Sequence, residues 1–311
     1  MALSKDELKL EENYLENTSK EISNQIDVLG KEIHVKKEKL TEFRKVLWED
    51  KGSIDASEMQ TGLMSSEFEA SFMLMKMDYY RKLLKIEYSP YFGRVDFTEN
   101  GCDFRKVYIG LANVEKDLDY IVYDWRSPIA SLFYDYGIGK AKYEAPEGEI
   151  KGDISLRRQY KIENNKLVRV FDNDLNVVDE CLQEVLSEKS SDKMKNIVNT
   201  IQEEQNEIIR NTKNKHLIVQ GIAGSGKTSV ALHRIAFLLY KIKNLRSSNV
   251  LIFSPNNVFS EYISDVLPEL GEENTGETTF HDFAIKYIKE FKSVETFTDF
   301  IEKYYTKRNR R

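Results

Sequence analysis

The sequence predicts an incomplete α/β phosphate-loop domain, preceded by a long antiparallel coiled-coil hairpin and an antiparallel β-rich region. Three observations carry this expectation. A glycine-rich loop, Gly221-Ile-Ala-Gly-Ser-Gly-Lys-Thr228, lies between a short apolar run, His216–Gln220, and a helix-forming segment, Ser229–Tyr240. Leucine and isoleucine recur at heptad spacing through residues 4–49. Short β-branched and aromatic runs, separated by turn residues, fill residues 91–180. The division expected is an arm over 1–89, a β-rich accessory region over 90–180 and a partial phosphate-loop domain over 181–311.

Residues 4–49 lack proline and hold one glycine, Gly30. Leu8, Leu15, Ile22 and Leu29 form one row of the repeat, and Ile26, Ile33, Leu40 and Leu47 form its companion. A helix this long would reach about 65–70 Å at 1.5 Å per residue. After a break at Lys51-Gly-Ser53, Phe68, Phe72, Met75, Tyr79, Leu83 and Ile86 recur at helical spacing, predicting a second helix from about 57 to 88 that stops before Pro90. Two helices joined by so short a break make an antiparallel hairpin, whose longer first helix leaves its opening residues to pack elsewhere. Its tip carries Glu49, Asp50, Asp55 and Glu58. As residues alone these read as a solvated turn with Asp55 or Ser57 capping the second helix.

The β-rich region predicts strands at Tyr91–Phe97, Lys106–Gly110, Asp119–Tyr123, Leu132–Tyr136, Lys140–Tyr143, Gly148–Tyr160 and Lys166–Phe171, in a succession of antiparallel hairpins. Asp124-Trp-Arg-Ser-Pro128 interrupts them as a polar knot, read as a structural clamp in preference to a binding contact. Residues 180–212 read as helix. Beyond the loop, Asn249–Phe253 predicts a strand, a helix begins near Phe259, and Glu277–Phe283 predicts a strand edge turning into a helix, so that 213–290 follows a parallel βαβ order.

The loop carries the chemistry. Gly221, Gly224 and Gly226 permit backbone turns and close approaches that a side chain blocks. The backbone N–H groups of Ile222, Ala223, Ser225 and their neighbours can then turn inward as an anion nest at the positive end of the following helix. Lys227 supplies a mobile positive charge for β and γ phosphates. Thr228 offers a hydroxyl to Mg²⁺, and Ser229 opens the helix behind it. The expected ligands are ATP and Mg²⁺, placed by a strand–loop–helix context. The chain has a net charge of −6 and 32% charged residues, which argues against a broadly basic nucleic-acid surface. Its two cysteines, Cys102 and Cys181, suggest neither a disulfide framework nor a zinc site, and a reducing cytoplasm is expected. No apolar run is long enough to span a membrane.

These residues resemble the first part of a superfamily 1 helicase of the UvrD/Rep type, with a RecA-like motor domain. Gly221–Thr228 resembles motif I, and Ile201-Gln-Glu-Glu-Gln205 resembles the upstream Q motif, which implies that Gln205 reads the adenine edge. Ser254-Pro-Asn256 and Thr279-Phe-His-Asp-Phe283 resemble motifs Ia and Ib, which in that family lie where single-stranded nucleic acid runs. Within the superfamily, Gln220–Tyr240, Tyr91–Phe97, Tyr108–Gly110 and Asp124–Tyr134 resemble the HelD family of Gram-positive bacteria. That resemblance implies an ATPase that binds RNA polymerase, enters its secondary channel with the coiled coil, and promotes its release from nucleic acid and recycling. It makes the tip acids Asp50, Asp55 and Glu58 an insertion element. The alternative is a UvrD/Rep-type DNA helicase in repair or unwinding. After Thr228 no apolar strand runs into Asp-Glu, and the second motor domain is missing. The expectation is therefore a piece of a longer protein that binds ATP incompletely and hydrolyses it poorly by itself.

Overall fold

The computed structural model of the protein describes residues 4–49, 55–101, 104–172, 198, 201–288, 295 and 297–308. Asp50, Cys102, Cys181 and most of the helix expected over 180–212 lie outside them.

The first helix, α1, runs Lys5–Glu49. It opens with a reciprocal cap: Glu7 N donates to Ser4 Oγ at 3.2 Å and Ser4 N donates to Glu7 Oε2 at 3.1 Å. The second helix, α2, runs Ala56–Ile86. Pairings of Lys76 with Glu32, Lys36 with Glu69, and Arg44 with Ser66 advance along one helix as they retreat along the other, so the two run antiparallel.

The faces differ from the expected seam. Toward the tip, α2 turns Gly62 and Ser66 inward. A side chain at Gly62 would sit 2.8 Å from Leu47, and Ser66 is buried. Phe68 and Met75 are instead exposed by 72% and 61%. On α1, Leu8 and Phe43 are exposed as well. Small residues let the helix axes approach closely, and the bulky apolar row is thereby rotated to the outside. Phe72 is half-covered by Lys36 and Lys76, whose ammonium groups lie 4.9 Å and 5.4 Å from its ring centre.

The base of the hairpin packs on a seven-stranded sheet. Its strands are β1 (Gly93–Glu99), β2 (Phe104–Gly110), β3 (Val114–Lys116), β4 (Asp119–Asp124), β5 (Gly139–Ala145), β6 (Gly148–Glu163) and β7 (Lys166–Asp172). The order is β3-β4-β2-β1-β6-β5, with β7 also paired to β6. The expectation of purely antiparallel hairpins is corrected at one place. β2 and β4 are parallel, with Ile109 opposite Tyr123 and Gly110 opposite Asp124. The small β3 takes the outer edge, so β4 returns between β3 and β2 along the direction of β2. The strand expected at Leu132–Tyr136 is a short helix, α3, Ser131–Asp135. It follows Pro128 and a succession of tight backbone turns over 124–133, and it buries Leu132, Phe133 and Tyr134.

The remaining elements are α4 (Glu203–Arg210), α5 (Lys227–Lys241), β8 (Leu251–Ser254), α6 (Asn257–Ile263), α7 (Val266–Glu269), β9 (Gly276–Thr279), α8 (Phe280–Tyr287) and α9 (Phe297–Arg308). β8 and β9 pair in parallel, as the βαβ order requires. The strand expected at His216–Gln220 does not form. Among the described residues β8 and β9 pair only with each other, and Ile218 is left 94% exposed. An apolar run with no neighbouring strand has no ladder to complete.

The large sheet lies between two cores. One face holds Tyr91, Tyr108, Tyr160 and Ile162 against Leu15, Ile22, Leu83 and Ile86 of the hairpin. The other holds Val95, Val107, Ile109 and Trp125 against Ile209 of α4, Val230 and Phe237 of α5, and Leu267 of α7. Alternation along β2, with Tyr108 to one side and Val107 and Ile109 to the other, is the period-two rule applied to a sheet covered on both faces.

Beneath the hairpin lies a charge network that heptad reading could not show. Glu11 of α1 is 2% exposed. It accepts from Arg94 Nη1, from Arg158 Nη1 at 2.9 Å, from Tyr108 OH at 3.1 Å and from Tyr160 OH at 2.9 Å. Asp96 and Asp172 complete the pairing of the two arginines. Burial, with Glu11 alongside, pushes the Tyr160 phenol far up, so it remains a donor. Removing the Glu11 carboxylate would leave Nη1 of both arginines and two buried phenols without their shared acceptor, each arginine keeping one aspartate. Glu11→Ala is expected to cost about 3–5 kcal/mol. Urea unfolding of the variant checks this, and a loss below about 1 kcal/mol would show the network to be dispensable.

Candidate functional site

The glycine-rich loop turns into α5 through Gly226, which caps the helix at φ 76°. Gly224 has φ 83°. Both sit in the left-handed region that glycine enters freely. At Gly221 the space is tight instead: a Cβ there would lie 2.7 Å from Ser225 Oγ, which would have to rotate away. Lys227 folds back over the loop. Its Nζ donates to Gly221 O at 3.0 Å and Ile222 O at 2.6 Å, and lies 3.5 Å from Ser225 Oγ. Ile222 and Ala223 are exposed, Thr228 is half-buried, and Ser229 is buried. An ammonium satisfied by carbonyls, at the start of a fifteen-residue helix, is a charge held where a polyphosphate would bind. This donor set could hold a triphosphate, and Thr228 would offer a hydroxyl to its Mg²⁺.

Gln205 lies beside the same loop. It is the third residue of α4, and its Oε1 accepts from Gln202 N at 3.2 Å in a capping box. Its Nε2 is 3.5 Å from the point where a Cβ on Gly226 would sit. The two segments singled out separately in the sequence thus meet in space.

The knot at Asp124–Pro128 is buried. Arg126 is 1% exposed and donates two parallel hydrogen bonds to Asp124, Nε to Oδ1 at 2.8 Å and Nη2 to Oδ2 at 2.6 Å. Its Nη1 also pairs with Glu272, beyond α7. Burial works against this charge, but Asp124 and Glu272 more than restore it and hold Arg126 firmly protonated. Arg210, at the end of α4, donates to Trp125 O at 2.6 Å, Ser127 O at 3.2 Å and Arg126 O at 3.3 Å. Sequence reading had marked the knot but gave no sign of Arg210 or Glu272, because each stands in an ordinary polar surrounding along the chain.

Two turns along α5 from the loop, His233 is fully buried and packs edge-on to Trp125, with ring centres 5.9 Å apart. Its Nδ1 lies 2.7 Å from Ser229 O and, as donor, fixes the tautomer. Burial lowers its pKa to about 4.

β8 and β9 end in register, Ser254 opposite Thr279. Asn256 caps α6 by accepting from Phe259 N at 2.8 Å, and Thr279 caps α8 by accepting from Asp282 N at 3.1 Å. Ser254–Asn256 and Thr279–Phe283 are therefore side by side at the carboxyl ends of parallel strands, where α/β sheets bind ligands. Val258 and Phe280 stand exposed there by 77% and 76%.

The hairpin tip is at the opposite end of α1 from the sheet. Asp55 precedes α2 in extended conformation and makes no side-chain cap; it accepts instead from Ser57 Oγ at 2.7 Å, which lowers its pKa. Glu58 is exposed in the first turn. Neither touches the glycine-rich loop in the described contacts.

Comparison with known proteins gives the class first. The UvrD/REP helicase N-terminal domain matches residues 201–308, so the loop, Gln205 and the β8–β9 pair belong to a helicase-like protein of superfamily 1. The N-terminal domain of DNA helicase IV HelD matches residues 8–213, more than half of the chain, and the chain belongs to the HelD family. The ATP-dependent DNA helicases PcrA of two Staphylococcus epidermidis strains are each 35% identical over 99 residues, 31% of this chain and 13% of their own length. Among the described residues no helix is long and apolar enough to cross a membrane.

The His233 site predicts a pH dependence. Its folded pKa lies below the value of 6.5 for a free imidazole, so the unfolded chain takes up the proton first. Stability is therefore lost as pH falls from about 6.5 toward 4, by about 3 kcal/mol for this group. Thermal melts of the wild type and His233→Asn across that range check it. A variant with an unchanged acid slope would remove His233 from the account.

Proposed function

We propose that this chain is the ATP-binding part of a helicase-like ATPase of the HelD family that binds RNA polymerase and promotes its release from nucleic acid. The observation that supports it most is the meeting of Gln205 with the loop Gly221–Thr228 at the start of α5. In this reading the loop belongs to a RecA-like motor domain. Backbone N–H groups from Ile222 to Ser229 cradle the phosphates, Lys227 leaves its carbonyl partners to pair with them, Thr228 meets Mg²⁺, and Gln205 reads the adenine edge. For phosphate to bind, Lys227 leaves Gly221 O and Ile222 O, and the N–H of Ser225 leaves its bond to Ile222 O.

The antiparallel hairpin is the polymerase-binding coiled coil. A long arm anchored on the sheet at one end, with exposed Trp48, Asp55 and Glu58 at the other, suits insertion into a narrow channel of another protein. Asp50 belongs to the same insertion element, and the whole acts in the cytoplasm. The second reading is a UvrD/Rep-type DNA helicase. The exposed Phe280 beside Ser254–Asn256 favours it, since unpaired bases stack on aromatic rings. The net charge of −6 weighs against a chain that tracks nucleic acid by electrostatics.

Lys227→Ala is expected to weaken ATP binding at least tenfold while the melting curve stays in place, about 1.4 kcal/mol or more of lost binding. Equal affinity in calorimetry would exclude the loop as the nucleotide site. In pull-downs at physiological salt, the chain should retain RNA polymerase, and removing residues 48–58 should abolish this while sparing ATP. Retention of single-stranded DNA but not polymerase would instead support the helicase reading.

A further inference from the structure

Gln205 is only as well placed as the short helix that carries it, and that helix is held by the β-rich region. α4 spans eight residues, Glu203–Arg210. A helix of that length has little stability of its own in water, so tertiary contacts set its position. Ile209 is fully buried in the core, and specific polar contacts join it. Asn206, adjacent to Gln205, is fully buried. Its Nδ2 donates to Asp135 Oδ1 at 2.6 Å, and its Oδ1 accepts from Arg210 Nε at 3.0 Å. Arg210 in turn grips the carbonyls of Trp125, Arg126 and Ser127. On the other side, Arg234 of α5 donates to Ile208 O at 2.6 Å. Asp135 is the last residue of α3, within the sheet region. Burial raises its pKa, against the opposing effect of the Asn206 bond.

We infer that Asp135 and Asn206 are positioning residues for nucleobase recognition: the β-rich region, through this hydrogen bond next to Gln205 and beside the grip of Arg210, sets the rotation of α4 and so the direction of Gln205 at the loop. The inference rests on the reading of Gly221–Thr228 as an ATP site and of Gln205 as its adenine reader. Successive residues on a helix point about 100° apart. With Asn206 pinned to Asp135 on one side and Ile208 pinned to Arg234 on the other, α4 has no freedom to turn, and Gln205 is held over Gly226. Phosphate binding does not need this bond, because the loop and α5 are shaped by their own backbone. Base selection does. Nothing in the spacing of Gln205 from the loop would reveal Asp135, which lies 70 residues upstream of it in the chain.

The test uses the intact 311-residue chain and three probes: ribose-labelled ATP, ribose-labelled GTP and inorganic tripolyphosphate. The variants are Asp135→Ala, Asn206→Asp, Asp135→Asn and Lys227→Ala. The wild type should prefer ATP over GTP by about tenfold or more, a difference of about 1.4 kcal/mol. Asp135→Ala, which removes the acceptor, and Asn206→Asp, which sets two carboxylates face to face, should bring ATP down to the GTP level and leave tripolyphosphate unchanged. Asp135→Asn keeps an acceptor oxygen and should restore the preference. Lys227→Ala should lose all three probes. If Asp135→Ala keeps the ATP preference, or loses all three probes in parallel, the positioning role is overturned. A wild type that binds ATP and GTP equally also overturns it. Failure of the wild type to bind any probe would instead overturn the nucleotide reading beneath it, so the two failures are told apart.

Discussion

One buried turn, Asp124–Ser127, is where the molecule is joined. Its side chains and its carbonyls face different partners. The Asp124–Arg126 pair reaches Glu272 near α7, and the carbonyls of Trp125, Arg126 and Ser127 receive Arg210 from α4. Trp125 itself packs on His233 of α5. Desolvating a guanidinium costs several kcal/mol, and buried Arg126, with half-buried Arg210 beside it, is held because each guanidinium nitrogen has an acceptor. That requirement leaves little tolerance in the geometry. The sheet, α4 and the helix behind the glycine-rich loop must keep one arrangement, or leave charges stranded in an apolar core. Specific polar contacts, together with the apolar core around Trp125, fix how these parts sit.

The same logic holds the arm. Glu11, Arg94, Arg158, Asp96 and Asp172 tie the first turns of α1 to β1, β6 and β7, while Leu15, Ile22, Leu83 and Ile86 close over them. Toward the tip the packing changes character. Gly62 and Ser66 face α1, and a groove of about 680 Å³ runs between Val35, Phe43 and Met73. The hairpin is thus firm at its base and lightly packed along its outer half.

Much of this was legible in the sequence, and what was not has identifiable causes. The long helix was readable because heptad rows and the absence of proline are local signals, and its observed bounds differ little from those expected. The loop was readable because its glycines answer to backbone geometry, which no tertiary contact overrides. The outer half of α2 was misread. Phe68 and Met75 have helical spacing, yet close approach of two helices favours small residues, and a hydrophobic pattern does not record smallness as a face. Leu132–Tyr136 is aromatic enough for a strand, but Pro128 and the tight turns that follow set a helical start. His216–Gln220 has strand composition without a strand neighbour, and a β-strand is a property of pairs. Glu11, Asp135 and Arg210 were invisible because a charged residue on a helix reads as solvated until its partners, distant in sequence, are known. At the candidate site the loop's glycine positions were local and legible, whereas the supports around it were not.

The anchoring of α1 has a mechanical consequence. From Ile22, the last fully buried residue near the sheet, to Glu49 the helix extends about 40 Å at 1.5 Å per residue. Over that length a tilt of about 5° at the sheet sweeps the far end through about 3–4 Å, roughly one hydrogen-bond length. A displacement too small to disturb the core beneath Glu11 is therefore multiplied into one large enough to make or break contacts at the tip. The arm is a pointer whose fulcrum is the sheet, and the other face of that fulcrum rests on the helix that begins at Lys227.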